Sequence, residues 1–290
     1  MKENRNRGKR DERQGTRENF RQNRPPQSEN RNPQSDSEVS QSVIFGVSPV
    51  FEALRSEKRK IDKIYVADGS NEQRLLQIVG LAREQHIPFT RIPRANLSKF
   101  VEFDANHQGV VAFVAAASYT DADELLDEIS ASEQPLCVVL DGVEDPRNLG
   151  AILRTVECAG VNGVFLPDRR AVGLNETVAK SSAGATEYVK VAKVTNLNRL
   201  IEDLKSRNIW VVGTSVDTDK SYVDWDWTQP TALVIGGEGK GLHRLVAENC
   251  DVLVKIPMSG QIESLNVSVA TGVVLFEANR QRELKTKSEK

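Results

Sequence analysis

Cysteine and histidine are scarce, with three of each in 290 residues. Cys137, Cys158 and Cys250 form no CxxC pair, and their odd number argues against a disulfide framework. Reduced thiols in a cytoplasmic chain are expected instead. His86, His107 and His243 lie far apart in the chain, with no HxxxH or Cys/His cluster, so no metal site is expected. No apolar run approaches the ~20 residues that cross a bilayer, so no membrane association is expected. The N-terminus lacks the hydrophobic core of a secretion signal. Charge of one sign is also missing, since the chain balances at −2. What these absences leave is a globular chain of about two domains at ~150 residues each.

Composition divides the chain. Residues 1–42 are built from Arg, Asn, Gln, Glu, Ser and Pro, with Phe20 as the one aromatic. Such a segment buries too little apolar surface to offset its ordering entropy, so a disordered tail is expected. Arg5, Arg7, Arg10, Arg13, Arg17, Arg21 and Arg24 suit a loose RNA-contacting arm, although the interspersed acids weaken that reading. Residues 43–117 read as a small α/β unit. IDKIYVAD, PFTRIP and GVVAFVAAA are strands, NEQRLLQIVGLAREQHI is an amphipathic helix with Asn71 as its cap, and RANLSKFV is a short helix. Residues 118–134 are polar and partly helical, as a linker would be. From Pro135 to Leu284 strands and helices alternate regularly. LCVVLDGV, GVFLP, YVKVAKV, IWVVGTSV, TALVIGG and DVLVKIP are continuous apolar runs, as in a mainly parallel sheet buried on both faces. Residues 285–290 form a short C-terminal tail. Ligands of such folds bind outside the carboxyl ends of the strands, so the loops there are where chemistry is sought.

Three loops stand out. In DGVEDPRNLGAILRTVECAG, Asp145-Pro146 makes a turn and Asn148 is placed to cap a helix whose apolar stripe is Leu149, Ile152, Leu153 and Val156. Arg154 lies off that stripe, and Gly150 one turn earlier leaves space beside it for an anionic partner. Read alone, Arg154 fits an ordinary surface residue equally well. In ALVIGGEGKGL a strand opens into Gly236, Gly237, Gly239 and Gly241, with Glu238 among them. A P-loop needs Ser or Thr after Lys240, and a GxGxxG fingerprint from Gly237 needs glycine at Leu242. Both fail, which leaves a turn suited to a neutral or cationic nucleoside and argues against a nicotinamide oxidoreductase. In IPMSGQIESLNVSVATGVVLFE a strand ends at Pro257, and Ser264 suits a helix cap. Asn266 would then fall in the first helical turn, where asparagine is disfavoured.

Taken together, Asn148-x5-Arg154, Gly236-x-Glu238-x2-Gly241 and Ile256-Pro257-Met258 followed by Ser264-Leu265-Asn266-Val267 resemble the three motifs of the SpoU (TrmH) class of the SPOUT superfamily, RNA ribose 2′-O-methyltransferases. The resemblance covers about residues 135–284. FGVSPVFEAL and NHQGVVAFV resemble the L30-like RNA-binding domain that precedes the catalytic domain in the branch acting on a guanosine of large-subunit (23S) rRNA. The resemblance implies an α/β SPOUT domain with a deep trefoil knot, bound S-adenosylmethionine and a homodimer with the site near its interface. It implies cofactor contacts at Gly236, Ile256 and Leu265, with Gly237, Gly241, Met258, Asn266 and Thr214 as further candidates. It also implies an active-site set of Asn148, Arg154, Glu238, Ser264 and Asn266. A tRNA 2′-O-methyltransferase and a non-catalytic rRNA-binding or assembly protein are the alternative readings.

Overall fold

The computed structural model describes residues 41–69, 72–102 and 105–288. Asn71 and nearly all of the Arg-rich tail lie outside these residues. The small unit is a four-stranded sheet of β1 (Gln41–Phe45), β2 (Ile61–Ala67), β3 (Phe89–Ile92) and β4 (Val110–Ala115), in the order β1-β4-β2-β3. β4 runs antiparallel to both neighbours, and β2 and β3 are parallel. Adjacent strand residues point to opposite faces. Ile44, Val66 and Val110 therefore meet Val50, Leu54, Leu75 and Ile78 of α1 (Val47–Ser56) and α2 (Gln73–Glu84). Phe45, Ala67 and Val111 pack on the other face with Leu97 of α3 (Arg94–Leu97), beside Tyr65 and Phe100. β1 begins at Gln41, so the boundary expected at residue 42 falls inside a strand.

The large sheet is wholly parallel. It contains β5 (Leu136–Asp141), β6 (Gly163–Pro167), β7 (Val191–Val194), β8 (Trp210–Thr214), β9 (Thr231–Gly236) and β10 (Val252–Val254), in the order β10-β8-β9-β5-β6-β7. One face of it carries α4 (Ala122–Ser130), α7 (Leu197–Ser206) and α8 (Arg244–Asn249) through Leu125, Leu126, Ile201, Leu204 and Val246. The other carries α5 (Pro146–Cys158), α6 (Glu176–Ser181) and α9 (Val267–Ser288) through Leu149, Leu153, Val178, Val274 and Leu275. The pleat divides each strand, with Val138 and Leu140 on the α5 side and Cys137 and Val139 on the α4 side. All three cysteines are free, and burial pushes the Cys137 thiol up to about 12.

Two expected boundaries change. Residues 118–134 are no simple linker, because Asp121 caps α4 and Leu125, Leu126 and Ile129 are part of the sheet's core. Their i, i+1, i+4 spacing was diluted in sequence by flanking acids. Lys285–Ser288 continue α9 instead of forming a tail.

α6 joins the small unit to the large one. Ala179 enters the small unit's core, and Lys180 Nζ donates to Gln108 Oε1 at 3.1 Å. Just beyond α6, Glu187 pairs with Arg59 at 2.8 Å with both side chains nearly buried. Tyr188 donates to Glu52 at 2.6 Å.

Candidate active site

The chain moves from β5 outward through β6 and β7, then returns to the other side of the sheet for β8, β9 and β10. Strand order therefore reverses between β5 and β9, and the crevice outside their carboxyl ends is where a ligand fits. Asp141 and Gly236 are paired at those ends.

The loop after β5 leads into α5. Asp145 caps the helix, accepting from the Arg147 N–H at 2.7 Å, and Pro146 fills the first helical position, where its missing N–H costs nothing. Asn148, expected as the cap, instead lies in the first turn, with its side-chain amide left for a tertiary partner. Gly150 does not leave room for an anion. A Cβ there would overlap Ser181 Oγ and come within 2.8 Å of the Val178 carbonyl, so this glycine lets α6 press against α5.

The loop after β9 is a tight turn. The Gly237 N–H donates to the Asp141 carbonyl at 2.8 Å, and the Gly241 N–H to the Gly237 carbonyl at 3.2 Å. A Cβ on Gly236 would overlap the Gly241–Leu242 backbone, and one on Gly237 would overlap the Gly142 carbonyl. Gly239 and Gly241 take φ values of 78° and 63°, and their open sides meet nothing within 4 Å.

The third loop runs from residue 256 to 266 without regular structure, with Met258, Ile262 and Leu265 exposed. α9 starts at Val267, so Ser264 lies out in the loop and is not the cap. Asn266 is the cap. Its Oδ1 accepts from the N–H groups of Ser268 at 3.0 Å and Val269 at 3.4 Å, and its carbonyl accepts from the Ala270 N–H.

The same Asn266 side chain ties the three loops together. Its Nδ2 donates to Glu238 Oε1 at 2.7 Å and to Asn148 Oδ1 at 3.0 Å. Asn148 Nδ2 donates to the same Glu238 oxygen at 2.7 Å. Glu238, on the glycine turn, thus bridges all three loops. Arg154 is exposed on the following turns of α5, with no hydrogen bond or ion pair among the described residues. Thr214 Oγ1 reaches the Val234 carbonyl at 3.5 Å and stays apart from the triangle.

A fourth feature went unnoticed in the sequence. Buried Asp141 accepts from the His243 N–H with Oδ2 at 2.7 Å, and Oδ1 lies 2.8 Å from His243 Nδ1. The available signal was positional: Asp141 ends a strand, and His243 directly follows the glycine turn.

Open backbone groups, a few apolar side chains and an amide–carboxylate triangle suit a neutral nucleoside and a hydroxyl held by hydrogen bonds. Residues 135–276 match the SpoU rRNA Methylase family, and residues 43–120 match the family described as RNA 2′-O ribose methyltransferase substrate binding. A candidate TrmH family tRNA/rRNA methyltransferase of Bacillus subtilis, YacO, is 45% identical over 82% of this chain and 95% of its own length. The 23S rRNA (guanosine-2′-O-)-methyltransferase RlmB of Pseudomonas syringae pv. tomato is 44% identical over 84% of this chain and 97% of that protein. The structure of the SpoU methyltransferase AviRb from Streptomyces viridochromogenes, in complex with AdoMet, superposes with a TM-score of 0.70 at 26% identity, covering 84% and 91% of the two chains. This chain belongs to the SpoU rRNA methylase family.

Proposed function

We propose that the chain transfers a methyl group from S-adenosylmethionine to the ribose 2′-hydroxyl of a guanosine in 23S rRNA. The observation that carries this reading is the Asn148–Glu238–Asn266 triangle, which gathers all three motifs at the switch point. RlmB relatives such as that of P. syringae support the rRNA target. S-adenosylmethionine, when bound, supplies an electrophilic methyl group. The backbone of Gly236, Gly237 and Gly241, together with Ile256, Met258 and Leu265, would hold it, with Asn266 and Thr214 nearby. The family's trefoil knot belongs to this reading and would press the glycine turn against the 256–266 loop.

The remaining work falls to positioning. A ribose hydroxyl is a weak nucleophile, and holding it in line supplies much of the rate. Asn148, Asn266 and Ser264 orient ribose and cofactor, and Glu238 fixes the two amides. Arg154 binds the phosphate beside the target ribose, since a guanidinium remains protonated. Exposed Arg91 of β3, Arg94 of α3 and Lys99 in the turn after α3, and Lys63 over the Tyr65 ring at 4.6 Å, support RNA binding by an L30-like small unit. A homodimer fits α9, where Val269 and Phe276 form an exposed apolar stripe two turns long. Thr155, next to Arg154, packs on Gly272 of α9, so pairing through this stripe places Arg154 near the interface. An rRNA substrate goes with a cytoplasmic location.

Ribose-methylation mapping of 23S rRNA from a deletion strain tests this proposal. One guanosine should lose its methyl group and regain it on complementation. Unchanged 23S methylation with a lost tRNA ribose methyl would favour the tRNA reading.

A further inference from the structure

Two cations outside the mechanism, Lys180 and Arg147, stand between the small unit and Arg154. Lys180 of α6 is half-buried where the two units meet, its ammonium 3.1 Å from Gln108 Oε1 and 5.5 Å from the centre of the Phe45 ring. Arg94 reaches the same loop from α3, with Nη1 3.9 Å from where a Cβ on Gly109 would stand. Buried His107 registers both charges, since burial first, then Arg94 and then Lys180 lower its pKa. No carboxylate answers them. Neither cation forms an ion pair among the described residues, and Glu176, one turn before Lys180, lines the crevice against β1 instead. Burial holds the Lys180 pKa below its ordinary value.

α6 carries this charge to α5. Ser181, the residue after Lys180, donates to the Pro146 carbonyl at 3.2 Å and fills the place where a Cβ on Gly150 would go. The two helices therefore touch at Gly150. At 100° per residue, Arg147 and Arg154 project about 60° and 40° to either side of that contact. They lie three residues before it and four after. Both are exposed, and neither side chain has a hydrogen bond or ion pair among the described residues. Arg94, Lys180, Arg147 and Arg154 thus form a chain of cations that repel one another. A phosphate backbone, with its charges set in a row, neutralises such a chain.

Resting on the methyltransferase reading, we propose that Lys180 and Arg147 are phosphate contacts for the RNA, whose target strand runs from Arg94 over the α5–α6 contact to Arg154. Phosphate contacts fix register and orientation and carry no base information. Lys180 and Arg147 would hold the strand gripped by the small unit at a set distance from the target ribose.

The test uses Lys180→Met and Arg147→Gln in the full-length protein, with a 23S rRNA transcript as the probe. Methionine keeps an apolar stem over Phe45 and removes only the charge. Each variant should bind the transcript about tenfold more weakly. Each should also flatten the slope of log affinity against log salt by about 0.7–0.9, one phosphate contact. In turnover the loss should fall on the KM for RNA, and S-adenosylmethionine affinity should stay within about twofold. Lys180→Arg should keep the wild-type slope, because it keeps the charge. Gln108→Asn breaks the same 3.1 Å tie across the junction and leaves Lys180 charged, so its slope should also match the wild type. Unchanged affinity and slope in Lys180→Met and Arg147→Gln would overturn the proposal. So would a Gln108→Asn variant that loses as much RNA affinity as Lys180→Met, which would make Lys180 a structural tie between the units. A wild-type protein that binds the transcript with the same salt dependence but methylates none of it would sink the function proposed above and not these contacts.

Discussion

The Asn266 amide donates to Glu238 Oε1 at 2.7 Å across 28 positions of sequence, while the same side chain caps α9 through its oxygen. One residue thus joins the start of a core helix to the glycine turn. The two roles separate by mutation. Asn266→Ala should cost about 1 kcal/mol of stability for the lost cap. It should also slow methyl transfer tenfold or more, a barrier increase of at least about 1.4 kcal/mol. Asn266→Asp keeps the cap acceptor but sets a carboxylate against Glu238, so its melting temperature should suffer less than its turnover. Thermal unfolding and single-turnover rates together check this; near-normal turnover in both variants would reduce Asn266 to a cap.

Arg154 is exposed and unpaired among the described residues. Arg154→Ala should therefore leave stability within about 0.5 kcal/mol. Transfer should fall by a factor of ~10²–10³, as for a lost charge-stabilising donor, with S-adenosylmethionine affinity retained by calorimetry. Near-normal turnover would remove Arg154 from the site.

Phe276 is 53% exposed on α9, seven residues after Val269. Phe276→Glu puts a charge on that stripe. Sedimentation velocity should show a dimer for the wild type and a monomer for the variant, with helix content unchanged by circular dichroism. A monomeric wild type would refute the dimer.

Gly150 is where α5 and α6 touch, and Gly150→Ala forces Cβ onto Ser181 Oγ. Overpacking of this kind costs about 1–3 kcal/mol. Denaturant unfolding should show the loss, and Gly150→Ala/Ser181→Gly should recover part of it by removing the clashing hydroxymethyl group.

His107 is buried beside the junction of the two units, accepting from the Gly109 N–H with Nδ1 at 3.1 Å. Burial, then the charges of Arg94 and Lys180, hold its pKa below the ordinary value. The unfolded chain therefore takes up a proton at higher pH than the folded one, and stability rises with pH across that gap. Lowering pH through about 6.5 should begin to destabilise the fold, continuing until His107 itself protonates. Urea unfolding at several pH values should show this acid-side loss, and His107→Gln should weaken it.

Much of this was legible in the chain. Six apolar runs after Pro135 became six parallel strands, because strands buried on both faces must be apolar throughout. The order Asn148, Gly236–Gly241, Ser264–Asn266 was enough to mark the loops that matter. Helix ends were harder. Asn148 and Ser264 looked like caps because both residue types serve as caps, yet Asp145 and Asn266 hold those places. The difference is set by where Pro146 and Val267 begin their helices, and a two- or three-residue shift is invisible to local propensity.

The residues themselves determined that the chain would form two α/β units, that its glycine turn could seat no phosphate by a known motif, and which polar side chains were anomalous. Only the tertiary structure decided who meets whom. It closed the space beside Gly150 with Ser181, brought Asn148, Glu238 and Asn266 into one triangle, and set His243 on a buried Asp141. Those pairings span 31, 28 to 118, and 102 positions respectively. The reversal of strand order between β5 and β9 is what spends that chain length to bring their ends together.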